Sequence, residues 1–249
     1  MNKVIAYSLW GNNKFYTVNC IRNADLATSI FPGWTCRIYF APTVPLAILD
    51  ELRARDNTEL VAMPIDESWN GMFWRFLAAS DQSVDVMISR DADSLLNIRD
   101  KAAVDEWLNS DKDFHIMRDN SAHSTQILGG MWGSRNRILH NLDQLINSYT
   151  RKEHNNRKNI DQEFLAEIVY PIVIDRSMVH DPLCRYGHGK EFPIPRNRPW
   201  YEDTLNGEWS GCDWVGDDND YIGKIAAGGC DHTEYHEAYE DEKYSKSPI

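Results

Sequence analysis

The chain has 249 residues, 42% of them hydrophobic, with nine Trp and a formal net charge of −12. That is enough apolar material for a large core, and so negative a chain is a poor nonspecific ligand for a nucleic-acid backbone, which needs a positive surface. No apolar run approaches the roughly 20 residues of a membrane span, and the N-terminal apolar stretch is shorter than the about 7–15 residues of a secretory signal, so the cytoplasm of a cell or infected host is the expected location.

Residues 3–8 (KVIAYS) are expected as a short apolar strand, followed by a helical stripe over 14–30 that Pro32-Gly33 breaks. A second strand over 34–41 (WTCRIYFA) precedes a helix over 45–55 with Pro45 in its first turn. Strand 58–64, a short apolar helix 71–80 (GMFWRFLAAS) and strand 84–89 (VDVMIS) complete the first hundred residues. Strands that alternate with helices imply a mostly parallel sheet covered on both faces. Further on, the pattern gives a helix over 99–110, a strand over 114–117, a Gly-rich loop over 129–133, helices over 137–149 and 160–170, and a strand over 173–180. A basic, polar linker (RKEHNNRK) separates the last two helices, and the rest is rich in Gly, Pro and Trp.

One domain over 1–230 is the simplest organisation, with halves 1–98 and 99–230. Residues 231–249 carry six carboxylates against two lysines and read as an acidic, solvated tail. The five cysteines are odd in number, widely spaced and without a CxxC pair, so neither a zinc knuckle nor a disulfide framework is expected.

The informative segment is VDVMIS followed by Arg90-Asp91-Ala92-Asp93-Ser94. It places two carboxylates at the carboxyl end of a buried strand, the edge at which open α/β sheets bind ligands. Alternation points Asp91 and Asp93 the same way, and two close carboxylates repel unless a cation or proton lies between them. Hard oxygen ligands at this spacing suit Mn²⁺ or Mg²⁺, with a substrate phosphate completing the shell. A capped acidic turn is the alternative.

The order of elements up to Asp91–Ser94, with FHIMRDNSAHSTQILGGMWG after it, resembles GT-A-fold glycosyltransferases of the bacterial and viral polysaccharide type, over roughly residues 4–181. The resemblance implies a Rossmann-like α/β domain with an irregular C-terminal flap. It also implies a nucleotide-sugar donor carrying UDP or GDP, a divalent metal at the DxD motif, and a glycan or glycolipid acceptor.

By position in that pattern, Asp93 would bind the metal, and Asp91 the metal or the donor ribose. Arg75 would meet donor phosphate or lock Asp91, while Tyr7, Ser8 and Ser94 would line the donor pocket. Gly129 and Gly130 would let backbone approach a sugar, with Trp132 as a stacking platform. The ionisable cluster His115, Arg118, Asp119 and His123 would bind sugar or acceptor. Asp161 and Gln162 resemble the DQ-type motif of retaining GT-A enzymes, which implies a catalytic or sugar-binding role and favours retention. His180 would be the third metal ligand, with His188 competing, and Lys190 would close over the diphosphate. The C-terminal part lacks a His-x-x-Gly-x-x-Lys-Pro-Trp string, which leaves the choice between retention and inversion open.

Other classes fit less well. A haloacid-dehalogenase-type phosphohydrolase or phosphotransferase needs a nucleophilic Asp after the first strand, where Tyr7-Ser8 stands. A dinucleotide oxidoreductase needs GxGxxG, which is absent. Sugar transfer to modified viral DNA would ask for a more basic surface. A non-catalytic sugar-binding module has no need of both Asp91 and Asp93.

Overall fold

The computed structural model describes residues 1–64, 69–151, 158–196 and 222–223. Seven strands form one sheet: β1 (Lys3–Leu9), β2 (Thr35–Phe40), β3 (Thr58–Ala62), β4 (Val86–Ser89), β5 (Phe114–Met117), β6 (Trp132–Arg135) and β7 (Ser177–His180). Their order across the sheet is β3-β2-β1-β4-β6-β5-β7. β6 runs antiparallel to both its neighbours, β4 and β5, and every other pair is parallel. The helices are α1 (Lys14–Ile30), α2 (Leu46–Arg53), α3 (Ile98–Leu108), α4 (Leu142–Thr150), α5 (Ile160–Phe164) and α6 (Tyr170–Val173), with a 3-10 helix over Trp69–Ala79. This is the mixed, mostly parallel α/β sheet the sequence implies.

Alternation along β1 sends Val4 and Ala6 into one core and Ile5, Tyr7 and Leu9 into the other. Cys20 and Ala24 of α1, Leu52 of α2 and Trp107 of α3 cover the second face. Phe73 and Phe76 of the 3-10 helix, Ile146 of α4 and Phe164 of α5 cover the first. A strand covered on both faces has no polar side, which is why β1 reads as a continuous apolar run. Helix starts are fixed locally. Asn13 accepts from the Phe15 amide at 2.9 Å at the head of α1, and Asn97 from the Asp100 amide at 2.8 Å at the head of α3. Between α1 and β2, Gly33 adopts φ +77°, the left-handed turn that the Pro32-Gly33 break requires.

Four local expectations change. The Gly-rich segment 129–133 is not all loop, because its end enters the buried strand β6. Gly133 belongs there for packing: a Cβ on it would stand 2.9 Å from Trp107 Cζ3 and 3.0 Å from Ile88 Cγ2, so only glycine lets α3 lie this close to the sheet. The helix expected from 137 begins at Leu142, since Asn136 and Arg137 both have positive φ, which no right-handed helix admits. The helical path beyond Ile160 does not stop at Pro171. It widens into a π-helical turn over Leu165–Val169, which accommodates the missing amide, and β7 therefore starts only at Ser177. The segment 71–80 is wound as a 3-10 rather than an α-helix. Most of the linker RKEHNNRK, the boundary near 230 and the tail 231–249 lie outside the described residues.

Candidate active site

β1 and β4 are neighbours, but the chain leaves β1 towards β2 on one side and reaches β4 on the other. Their carboxyl ends therefore flank the topological switch point of the parallel part of the sheet, where a crevice forms between diverging connections. The turn Asp91-Ala92-Asp93-Ser94 leaves β4 here.

Asn23, buried in α1, holds that turn. Its Nδ2 donates to Ser94 O at 2.9 Å and Ala92 O at 3.4 Å, and its Oδ1 accepts from the Leu96 amide at 2.9 Å. One amide side chain thus replaces the backbone partners that an irregular segment lacks. Arg90 points inward and is locked by Asp100 through two hydrogen bonds of 2.8 and 2.7 Å. Asp91 and Asp93 are both partly exposed.

The centre of the site is Arg75 on the 3-10 helix. Its amide donates to Ser8 Oγ at 3.0 Å. Its guanidinium donates through Nη1 to Asp91 Oδ1 at 2.5 Å and through Nη2 to Asp161 Oδ2 at 3.2 Å. The Arg75 and Asp161 side chains are buried, whereas that of Asp91 is 40% exposed. Burial works against the charge on Arg75, yet Asp91 and Asp161 together raise its pKa and keep it a guanidinium. Burial pushes the Asp161 carboxyl up from the usual range, with Arg75 opposing and Asp91 adding to the rise. Asp161 Oδ1 and Arg75 Nε find no hydrogen-bond partner.

Gly129 and Gly130 close over this group. A Cβ on Gly129 would stand 2.5 Å from Arg75 Nη2 and closer still to Asp161 Oδ2, and a Cβ on Gly130 would run into the Asp91 carboxylate. The Gly129 carbonyl is pinned by Ser89 Oγ at 2.7 Å. The glycines thus allow backbone to approach two carboxylates, where the sequence suggested approach to a sugar.

Other residues singled out in the sequence lie elsewhere. Tyr7 is fully buried among Cys20, Cys36 and Ile5 and faces the core, because alternation turns it away from Ser8. Trp132 is fully buried, stacked on Phe114 with ring centroids 5.3 Å apart, and so is a core side chain and not an exposed platform. His115 and His180 are also buried and pair with each other, Nε2 to Nδ1, at 2.8 Å. His180 Nε2 meets Glu106 at 2.9 Å, so both its ring nitrogens are engaged and it does not join Asp91 and Asp93. Lys190 also pairs with Glu106. Arg118 is bound by Asp181 at 2.8 Å, and Asp119 by Arg99 at 2.8 and 2.6 Å. His123 accepts from the Asp119 amide at 3.0 Å. Each of these side chains has a partner within the chain, while the buried His115 Nδ1 and Arg118 Nη2 atoms find none among the described residues. Ser94 serves the turn through its backbone, Gln162 is half-buried beside Asp161, and His188 is exposed.

Two residues that sequence reasoning passed over belong to the site edge. One is Asn23. The other is Trp10, directly after β1, which is 36% exposed and packs edge-on against Trp74 at 6.1 Å over Gly71.

Two partly exposed carboxylates from a single turn form a hard-oxygen pair that fits Mg²⁺ or Mn²⁺, provided that diphosphate and water oxygens fill most of the shell. Among the described residues no group of three or more His, Cys, Asp or Glu gathers into a closed metal site.

No protein-family model matches the chain, and no curated protein does. Solved structures do. A glycosyltransferase involved in the glycosylation of the major capsid of PBCV-1 aligns over 73% of this chain and 82% of its own, with a TM-score of 0.50 and 16% identity. The Mycobacterium tuberculosis glucosyl-3-phosphoglycerate synthase, solved with Mn²⁺, UDP-glucose and phosphoglyceric acid, aligns over 81% of this chain and 74% of its own, with a TM-score of 0.45 and 13% identity. A 4-diphosphocytidyl-2C-methyl-D-erythritol synthase from Anaerococcus prevotii aligns over 72% of this chain and 86% of its own, with a TM-score of 0.46 and 10% identity. The first of these matches establishes the architecture, which is the GT-A fold.

Proposed function

We propose that this chain is a metal-dependent glycosyltransferase that moves a sugar from a UDP- or GDP-sugar to a hydroxyl of a glycan or glycolipid acceptor. The observation that carries this reading is the Asp91–Asp93 turn at the β1/β4 switch point, with Asp161 tied to it through Arg75.

Asp91 and Asp93 would hold the divalent cation, and a cation bound there supplies Lewis-acid stabilisation to the leaving diphosphate. Trp10 offers a flat apolar face on which the donor base can stack. Asp161 has one oxygen without a partner and, through burial, a carboxyl more basic than usual. Both properties suit a general base. In the proposed step the acceptor oxygen bonds to the anomeric carbon, the bond from that carbon to the β-phosphate oxygen breaks, and Asp161 takes the acceptor proton. Attack of this kind inverts the anomeric centre.

The test is a thermal-shift panel of nucleoside diphosphates and nucleotide-sugars, each with Mn²⁺ and with EDTA. A ligand at 100 times its Kd adds about 2.7 kcal/mol, which such a panel resolves. The expected result is a Mn²⁺-dependent shift with one base, abolished in Asp93→Ala while that variant keeps its fold. A panel without any shift would defeat the proposal.

A further inference from the structure

Arg75 sits where its charge has two claims on it. Nη1 holds Asp91 Oδ1 at 2.5 Å, while Nη2 reaches Asp161 Oδ2 at 3.2 Å. Asp91 is the more exposed of the two carboxylates and belongs to the DxD turn, whereas Asp161 is buried and comes from the head of α5. The guanidinium itself is enclosed by Gly129, with no room for a methyl group between that glycine, Nη2 and Asp161. A buried charge must stay paired, since removal of one partner leaves an uncompensated ion. A planar fork can shift its weight between two carboxylates without leaving its place, which an ammonium cannot do.

We infer that Arg75 is the resident counter-ion of Asp91, competing with a divalent cation for that carboxylate and transferring its charge to Asp161 when the cation arrives. The inference rests on the proposed cation role of Asp91 and Asp93. It makes Arg75 a positioning residue, which already reaches Asp161 and tightens its hold there once Asp91 is loaded. Competition has a signature that loss of structure lacks, because removing the guanidinium frees a ligand oxygen. Cation affinity should rise while turnover falls.

The experiment measures Mn²⁺ binding to the full chain by electron paramagnetic resonance of the free ion, with no nucleotide present. Wild type is compared with Arg75→Met, Arg75→Lys and Asp161→Asn, with circular dichroism melts to check folding and donor-sugar turnover as a second readout. The expected result for Arg75→Met is Mn²⁺ affinity about tenfold tighter or more, together with lost turnover. Arg75→Lys, whose ammonium cannot shift to Asp161, stays on Asp91 and binds Mn²⁺ more weakly than wild type. Asp161→Asn commits the guanidinium to Asp91 and weakens Mn²⁺ binding, which keeps the test available should Arg75→Met fail to fold. Unchanged or weaker binding in a folded Arg75→Met, with wild type binding Mn²⁺ normally, overturns the inference and leaves the proposed function standing. No binding in any variant also overturns the inference, and the nucleotide panel with Mn²⁺ then decides the proposed function separately.

Discussion

Gly130 lies against Asp91 so closely that a methyl group on it would stand 2.8 Å from the Asp91 amide nitrogen and closer still to the carboxylate. The backbone of Gly130 does not have positive φ, so the restriction is one of space and not of conformation. Gly130→Ala should therefore force Asp91 aside. Overpacking of a filled interior costs about 1–3 kcal/mol. The expectation is a loss of that size in urea denaturation, together with loss of any Mn²⁺-dependent thermal shift. An alanine variant as stable as wild type, with normal Mn²⁺ response, would contradict the geometry.

Asn23 makes the equivalent contribution from the other side of the turn. Asn23→Ala strips partners from the Leu96 amide and from the Ser94 and Ala92 carbonyls, all of them near or within the DxD turn. A buried polar group left unpaired costs about 1–3 kcal/mol. Stability should fall by about that amount, and Mn²⁺ binding should weaken because the turn loosens. Asn23→Asp tests the same point more narrowly, since it keeps the acceptor for Leu96 but loses both donors.

Trp10 should matter to the donor and little to the fold. Base–aromatic stacking is worth about 1–3 kcal/mol. Trp10→Ala is accordingly expected to raise the donor KM by roughly one order of magnitude or more, with kcat much less affected. Trp10→Phe should recover most of the loss. A KM unchanged in Trp10→Ala would move the base elsewhere.

Acid should weaken the fold through His115 and His180. Burial lowers the pKa of both below 6.5, that of His115 well below, and for His180 the Glu106 carboxylate offsets only part of the effect. Between that value and the folded-state values the unfolded chain binds protons that the folded chain does not. Their contribution to stability is thus complete above about pH 6.5 and is lost as the pH falls. Glu106, Lys190, Arg99 and Arg90 are the charged groups facing the pair. Buried Asp119 and Asp161 have raised values and act in the opposite sense at lower pH, so the comparison of variants isolates the imidazoles. Urea denaturation across pH 5–8 should show a shallower slope for His115→Phe, whose ring can keep the stack on Trp107. An identical slope would remove His115 from the account.

Strand β1, helix α1, strand β5 and the DxD turn were legible because each has a local cause: an apolar run, a capping Asn, a glycine break. The partners of charged residues were not. His115, Arg118, Asp119 and His123 looked like a site through density alone. Their partners His180, Asp181 and Arg99 come from other elements, and only the sheet order brings them together. Trp132 was similarly ambiguous, since an aromatic beside glycines can be a platform or a core residue, and the antiparallel insertion of β6 decided it. Gly129, Gly130 and Arg75 stand out in the sequence, but the groups they meet, Asp161 and Asp91, are 32, 39 and 16 residues or more away in the chain and follow no periodic rule.

The reversal of β6 has an architectural consequence. In the parallel part of the sheet only connections that leave a strand reach the ligand edge, yet Leu128–Met131 arrives there on its way in. Its far anchor is steric, with Gly133 seated against Trp107 and Ile88. The wall over Asp91 and Asp161 is therefore delivered by β6, while the acidic turn beneath it is delivered by β4. The stretch between β5 and Gly129 is fastened in turn, Arg118 by Asp181 and the carbonyls of Asn120 and His123 by Arg185, so the wall and the turn beneath it keep one register.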